Sequence, residues 1–327
     1  MPAFLVAGAT SWGVTLAGLL ATGGDDVTIL ARTSEEADAV DRERGLARLP
    51  GFELPAAVSI CPVDAAPATP DGIVVAVPSQ SFRATAQHPG LSRDVPVLSA
   101  AKGIEHGSLL RMSEVLAACG WQAERISALS GPNLAREIVA GLPAASTVAS
   151  AGEAEAEMWQ RALSTSRFRV YRSADLVGVE LGGALKNVVA IAAGVGAGLG
   201  LGANALASLT TRGLAEITRL AVAEGASATT LLGLAGVGDL MATCYSPLSR
   251  NHRFGERLAA GDTPEQAMAA AGGVVEGAAT APVALALAAR HGLDMPIAEQ
   301  VNAVISGHSS VTDALEALLS RDLRAEG

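Results

Sequence analysis

Short apolar runs recur through the first half of the chain, at residues 4–8, 27–31, 72–77, 95–100, 126–130 and 144–149, each rich in valine, isoleucine or leucine. Between them lie stretches of alanine, glutamate and arginine with helical spacing. A run that is apolar at successive positions reads as a strand buried on both sides, and strands alternating with helices predict a parallel sheet covered on both faces. From about Val177 the pattern changes to long alanine- and leucine-rich helical segments, broken at glycines and prolines, with almost no β-rich run. The prediction is an α/β doubly wound parallel sheet over residues 1–175, followed by an all-α domain over 176–327. The joint falls at Arg172-Ser-Ala-Asp175, where Ser173 or Asp175 is placed to cap the next helix.

One segment needs separate treatment. Residues 188–211 carry no charge over 24 positions, long enough to cross a bilayer. Composition argues otherwise. Gly194, Gly196, Gly198, Gly200 and Gly202 alternate through it, each costing about 1 kcal/mol relative to alanine in a helix, and Asn204, Ser208, Thr210 and Thr211 follow. A buried helix ending in a glycine-rich turn is expected, with no membrane span.

Bulk properties narrow the functional class. At 327 residues the chain exceeds what one hydrophobic core usually supports, in keeping with two domains. Half of the residues are apolar and 17% charged, a globular composition. The net charge of −10 weighs against nucleic acid, so any phosphate has to be bound in a local basic pocket. Cys61, Cys119 and Cys244 are odd in number and form no CxxC pair, which indicates neither a disulfide framework nor a zinc site and fits a reducing cytoplasm. The first apolar run begins almost at Met1 without a basic flank or cleavage pattern, so no signal peptide is expected.

In such a sheet ligands sit outside the carboxyl ends of the strands, which makes the residues after each run the ones that matter. After the first comes Gly8-Ala-Thr-Ser-Trp-Gly13, a GxGxxG-type turn with Thr10 at the middle position. Gly8 allows the tight turn, Gly13 lets helix and strand pack closely, and the helix amino end faces a pyrophosphate, the signature of a Rossmann-type dinucleotide-binding domain. Thr10 puts a side chain where backbone usually approaches phosphate, so either the loop sits back or the hydroxyl joins the binding. After the second run, where NAD-preferring domains carry a carboxylate, stand Arg32, Thr33 and Ser34, a set suited to the 2′-phosphate of NADP.

Lys102, within Ser99-Ala-Ala-Lys-Gly-Ile-Glu105, stands at a strand tip where this fold places substrate. Lys186 lies in the helical stretch 177–193, whose other polar side chains are Glu180 and Asn187, so its ammonium is expected in a desolvated site. Burial lowers a lysine pKa toward neutrality, as a proton donor to an alkoxide requires. Residues 236–255 concentrate glycines, hydroxyls and charge: Asp239 is placed to orient a lysine, and Ser249-Arg250-Asn251 to bind a phosphate. His252, between Asn251 and Arg253, reads as structural. No HExxH, nucleophile elbow or Walker sequence is present, so metal-dependent hydrolysis and kinase chemistry lack support, and no metal is expected.

With these motifs on view, the chain resembles the bacterial NAD-dependent glycerol-3-phosphate dehydrogenase family from end to end. The resemblance is carried by the Gly8 turn, Val77-Pro-Ser-Gln80, Ala101-Lys-Gly-Ile-Glu105, Leu129-Ser-Gly-Pro132, Glu180-Leu-Gly-Gly-Ala-Leu-Lys-Asn-Val188, Thr211-Arg-Gly-Leu-Ala-Glu-Ile217, Gly233-Leu-Ala-Gly-Val-Gly-Asp239, Ser246-Pro-Leu-Ser-Arg-Asn251 and Val275-Glu-Gly277. It implies reversible reduction of dihydroxyacetone phosphate to sn-glycerol 3-phosphate with NADPH, or NADH, for phospholipid synthesis. It also implies that Lys186 exchanges the proton at C2, that Lys102 polarises the carbonyl and touches both ligands, and that Asp239, Ser249, Arg250 and Asn251 bind the glycerol phosphate. Gly131 and Asn133 match substrate contacts. Gly8, Ser11, Trp12, Gly13, Arg32, Ala135, Arg250, Val274 and Glu276 match positions near the dinucleotide. Two departures stand out: Thr10 replaces the usual glycine, and Asn133 stands where serine or threonine is common. A cytoplasmic homodimer is expected. Two alternatives stay open: a reductase of another small keto acid on the same plan, of the ketopantoate type, and a non-catalytic NADP-sensing protein. The paired lysines speak against the second, since sensing needs no proton donor.

Overall fold

The computed structural model describes residues 1–321. Eight strands form one sheet: β1 (Ala3–Ala7), β2 (Asp26–Ala31), β3 (Val58–Pro62), β4 (Gly72–Val75), β5 (Val97–Ser99), β6 (Ile126–Ser130), β7 (Ala144–Ser150) and β8 (Phe168–Ser173). Helices α1 (Ser11–Thr22), α2 (Ser34–Glu43), α3 (Phe82–Ala86), α4 (Met112–Ala118), α5 (Ala135–Val139) and α6 (Glu153–Leu163) connect them. The spatial order is 3-2-1-4-5-6-7-8, so the winding reverses between β1 and β4 and opens a crevice at their carboxyl ends.

Two features depart from the expected parallel sheet of six runs. Strands β3 and β8 extend the sheet at its two edges. In addition, β7 pairs antiparallel with β6, and β8 then runs parallel to β7. The connection between β6 and β7, residues 131–143, holds only the five-residue helix α5.

The remainder is helical: α7 (Leu176–Gly198), α8 (Gly202–Ala223), α9 (Ala228–Leu231), α10 (Asp239–Tyr245) and α11 (Arg250–Ala259) come first. Helices α12 (Pro264–Ala270), α13 (Glu276–Arg290), α14 (Pro296–Ile305) and α15 (Val311–Leu319) follow. The Asp175 carboxylate caps α7 by accepting from the Gly178 N–H at 2.8 Å, and its other oxygen accepts from the Ser227 N–H. The buried carboxylate of Glu216 does the same at the amino end of α14, accepting from Ile297 and Ala298, and its burial raises its pKa to about 7.

Helix α7 is the axle of this half. Seventeen of its 23 residues are buried, the mark of a helix apolar all round because other elements surround it. By length and hydropathy it alone among the described helices is able to cross a bilayer unbroken, but 83% of its apolar stretch is inside the protein. The uncharged sequence then reverses at Gly200 and Gly202, both with positive φ, and continues as α8. The glycines within α7 answer a packing need. A Cβ on Gly194 meets the His252 carbonyl at 2.0 Å, and one on Gly255 meets the Ile191 carbonyl at 2.1 Å. Helices α7 and α11 thus touch backbone to backbone, and the propensity cost of about 1 kcal/mol per glycine is offset by that close approach.

Candidate active site

The site lies in the crevice between the sheet's carboxyl edge and α7, α10 and α11. Residue Lys102 leaves the tip of β5, and its ammonium donates to the Gly131 carbonyl at 2.7 Å and to Asp239 Oδ2 at 2.6 Å. From the middle of α7, Lys186 donates to the Thr243 hydroxyl and pairs with the other oxygen of the same carboxylate, Asp239 Oδ1, at 2.7 Å. One carboxylate, 2% exposed, therefore bridges two lysines. A turn of π-helix over Leu234–Gly238 delivers Asp239 to the first position of α10, and the Thr243 hydroxyl one turn later donates back to the Asp239 carbonyl at 2.6 Å. Such π turns recur at functional sites because they re-aim one side chain out of helical phase.

With all three groups ionised this triad carries one net positive charge in a largely desolvated place, suited to an anion or a developing oxyanion. Desolvation pulls the Lys102 ammonium down to about 8; Asp239 opposes the fall and the Lys186 charge adds to it.

Both lysines are held by one further tie. The loop after Lys102 is closed by the bridge between Ile104 and Arg111, and Arg111 pairs with Glu180 of α7 at 2.7 Å. The buried Glu180 carboxylate also accepts from the Ser113 N–H and hydroxyl, at 2.7 and 2.5 Å. A second crossing joins Glu276 to Ser79, whose N–H and hydroxyl donate to the carboxylate at 3.2 and 2.6 Å.

The turn between β1 and α1 is built on two glycines. Gly8 has φ +121°, and a Cβ there meets the Ala76 carbonyl at 2.8 Å; one on Gly13 meets the Gly8 carbonyl at 2.0 Å. The Thr10 hydroxyl caps α1, accepting from the Gly13 N–H at 3.0 Å, and donates to the Ala76 carbonyl at 2.7 Å. Its polar atom is engaged within the protein, and the amino end of α1 has no acidic residue in its first turn, an arrangement that suits an anion. Residues Ser11, Trp12 and Ala135 line the same cleft. The buried Trp12 Nε1, Asn133 Oδ1 and Arg253 Nε have no partner within the protein, polar capacity that a bound polar ligand satisfies.

Several anticipated residues have structural duties as well. The Ser249 hydroxyl caps α11 by accepting from the His252 N–H, while Asn251 donates to Asn187 Oδ1 at 2.9 Å and accepts from the Gly277 N–H at 2.9 Å. Asn133 donates to Ser146, and Val274 and Arg250 open onto the cleft. His252 is buried with its Nε2 3.5 Å from Glu256, outside the cleft lining, in keeping with a structural role. Arg32 is exposed at the end of β2, and its backbone N–H donates to Glu36 Oε2 at 2.9 Å. It does not line the cleft; Arg48, Arg136 and Arg253 do, beside Arg250.

Sequence reasoning counted Thr243 and Arg253 within residues 236–255 without giving either a role, and passed over Arg48 and Arg136. It also passed over the plainest signal of the site: only two lysines occur in the chain, against 21 arginines, and both are in the triad.

Family models described as the N-terminus and the C-terminus of NAD-dependent glycerol-3-phosphate dehydrogenase match residues 4–156 and 175–316. The glycerol-3-phosphate dehydrogenase (NAD(P)+) of Nocardia farcinica is 50% identical, with 98% of each chain covered. That of Streptomyces avermitilis is 47% identical, covering 98% of this chain and 97% of the relative. The crystal structure of glycerol-3-phosphate dehydrogenase from Coxiella burnetii superposes with a TM-score of 0.93 at 36% identity, covering 98% and 99% of the two chains.

Proposed function

The chain belongs to the NAD-dependent glycerol-3-phosphate dehydrogenase family, and from that membership we propose that Lys186 gives the proton, Lys102 polarises the carbonyl and Arg250 holds the phosphate. The enzyme reversibly reduces dihydroxyacetone phosphate to sn-glycerol 3-phosphate with a nicotinamide cofactor, NAD or NADP. The relatives favour neither a ketopantoate-type reductase nor a non-catalytic sensor.

The observation that carries the assignment of roles is the Asp239 carboxylate between two ammonium groups. The bound cofactor supplies the hydride. The chain's own residues do the rest: Gly8, Ser11, Trp12, Gly13, Ala135, Val274 and Glu276 hold the dinucleotide, and Gly131, Asn133, Ser249 and Asn251 frame the substrate. As the carbonyl oxygen gains charge, Lys102 and Lys186 both point N–H groups into a site that water has largely left, where charge-assisted hydrogen bonds are strongest. One proton then passes from Lys186 to the oxygen, and Asp239 stabilises whichever lysine remains charged. Steady-state assay with NADPH and a panel of phosphorylated and carboxylated ketones tests the reading; preference for a carboxylated ketone overturns it.

We assign NADP preference to Arg32, which projects from the end of β2 into solvent where a 2′-phosphate extends beyond the cleft proper. Exchange for aspartate, Arg32→Asp, is expected to weaken NADPH by about ten- to a hundredfold, the worth of a charged hydrogen bond, and to shift preference toward NADH. Equal use of both cofactors in parent and variant, measured by titration, shows that another group, Arg48 first, reads the phosphate.

We further propose that residues 1–175 and 176–327 divide as dinucleotide and substrate domains, that the enzyme works in the cytoplasm for phospholipid synthesis, and that it is a homodimer. The three cysteines are free, in keeping with a reducing compartment. For the dimer, Leu199 and Leu201 are exposed just before α8, Met241 and Tyr245 are exposed on α10, where the Tyr245 hydroxyl meets Thr210 of α8, and residues 202–211 carry no charge and have small outward side chains. An uncharged, close-packing helix face suits a second copy of itself across a two-fold axis. Light scattering is expected to give a dimer that Leu201→Arg with Met241→Arg converts to monomer; a monomeric parent refutes it.

A further inference from the structure

Besides the amino terminus, the only primary amines in this protein are Lys102 and Lys186, and both lie on one carboxylate, at 2.6 and 2.7 Å. Carbonyl reduction requires one proton donor. A second amine the width of a carboxylate away has a consequence of its own. Burial and the neighbouring cation both disfavour the second ammonium, the combination that turns lysine into a nucleophile toward carbonyl compounds. The pKa of Lys102 is the one drawn down, to about 8, by burial first and with Lys186 contributing. Its side chain is also the more accessible, 18% exposed against 7% for Lys186. It projects into the cleft that Arg250 and Ser249 line, so a phosphorylated ketone held there presents its carbonyl to the amine.

We propose that Lys102 forms a reversible imine with phosphorylated carbonyl compounds, dihydroxyacetone phosphate among them, when no reduced cofactor competes for the carbonyl carbon. The location of the carbonyl rests on the reductase reading above. The lone pair of neutral Lys102 Nζ bonds to the carbonyl carbon, and the C=O π electrons move to oxygen, which takes a proton from the Lys186 ammonium. The nitrogen, now bearing two hydrogens, returns one to Lys186 by way of Asp239. The carbinolamine hydroxyl then takes that proton and leaves as water, and the nitrogen lone pair closes the protonated C=N bond. One neutral and one charged lysine become one iminium and one neutral lysine, so charge balances and nothing is oxidised or reduced. Hydrolysis reverses every step. While the imine stands, the carbonyl oxygen has left as water and no alcohol can form from that carbon, so the substrate acts as a slow, reversible inhibitor of the cofactor-free enzyme.

The test uses the whole protein with dihydroxyacetone phosphate and no nicotinamide, quenched with sodium borohydride, which turns the imine into a stable secondary amine. Peptide mass spectrometry is expected to find the adduct on Lys102, absent without borohydride and at least tenfold weaker with unphosphorylated dihydroxyacetone. Exchange of Lys102→Met should abolish it. Because the site is mapped in the parent protein, the result does not depend on that variant folding. NADPH oxidation on the same preparation separates the two readings. Turnover with no adduct on Lys102, or with adduct only on Lys186 or the amino terminus, overturns the imine and leaves the reductase. An adduct on Lys102 without turnover keeps the imine and removes the reductase.

Discussion

Replacing Lys186 by alanine is expected to lower kcat by about a hundredfold or more while NADPH still binds, since positioned proton transfer contributes about 10²–10⁴-fold. The side chain it removes is 7% exposed and makes two contacts, to Thr243 and to Asp239. The loss is expected to be chemical more than structural. Asp239 keeps its pair with Lys102 at 2.6 Å, so no uncompensated buried charge is created, the situation that makes broken ion pairs costly. The pH profile provides a second readout. At present the Lys186 charge helps to depress Lys102, whose pKa is about 8; without it the remaining ammonium is better stabilised and its pKa rises. Residual activity should therefore persist to higher pH than in the parent. Parent-like kcat transfers the proton to Lys102 or to water, and an unmoved profile shows that the two lysines are not coupled through Asp239.

Arg250→Ala is expected to reduce kcat/KM for dihydroxyacetone phosphate by about thirtyfold or more, chiefly through KM, and to change unphosphorylated dihydroxyacetone far less. The protein is acidic, with net charge −10, so a phosphate site requires positive charge gathered locally. Arg250 opens the first turn of α11, directly after the capping Ser249, where the helix amino end adds its own partial positive charge. The charges of Arg48, from the segment after α2, and of Arg253, one turn further along α11, act on it, and Glu276 offsets them. Arg250→Lys should recover only part of the loss, because an ammonium lacks the planar fork that meets two phosphate oxygens together. Equal losses on both ketones assign Arg250 to the fold or to the cofactor, which binding of NADPH to the variant then distinguishes.

The interior of the sheet was legible in the sequence because strands buried on both faces have to be apolar at every position, as Gly72–Val75 is. Its edges were not. Strand β8, Phe168–Ser173, alternates buried and exposed residues and carries two arginines, since one face meets solvent, and a search for unbroken apolar runs passes over it. Strand β3 ends in Pro62 and is fully buried only at Val58, the composition of an edge. Nor was the direction of β7 legible, because a short helix between two apolar runs has no sequence mark that distinguishes a return from a crossover.

The site divides along the same line. Local sequence by itself determined that Lys186 is buried, because a lysine in a helix with scarcely another polar residue has nowhere wet to go, and that Gly8 and Gly13 make the tight turn from β1 into α1, because only glycine permits the approach. Tertiary structure alone decided what those residues meet. Lys102, Lys186 and Asp239 come from a strand tip, the middle of a helix and the end of a π turn, and no spacing along the chain encodes that one carboxylate separates the two amines. It likewise decided that the Thr10 hydroxyl turns inward to cap α1 and that Arg48, from the segment after α2, faces Arg250. Burial is set largely by a residue's near neighbours in sequence and so can be read locally; electrostatic coupling depends on distance in space, which only the folded chain defines.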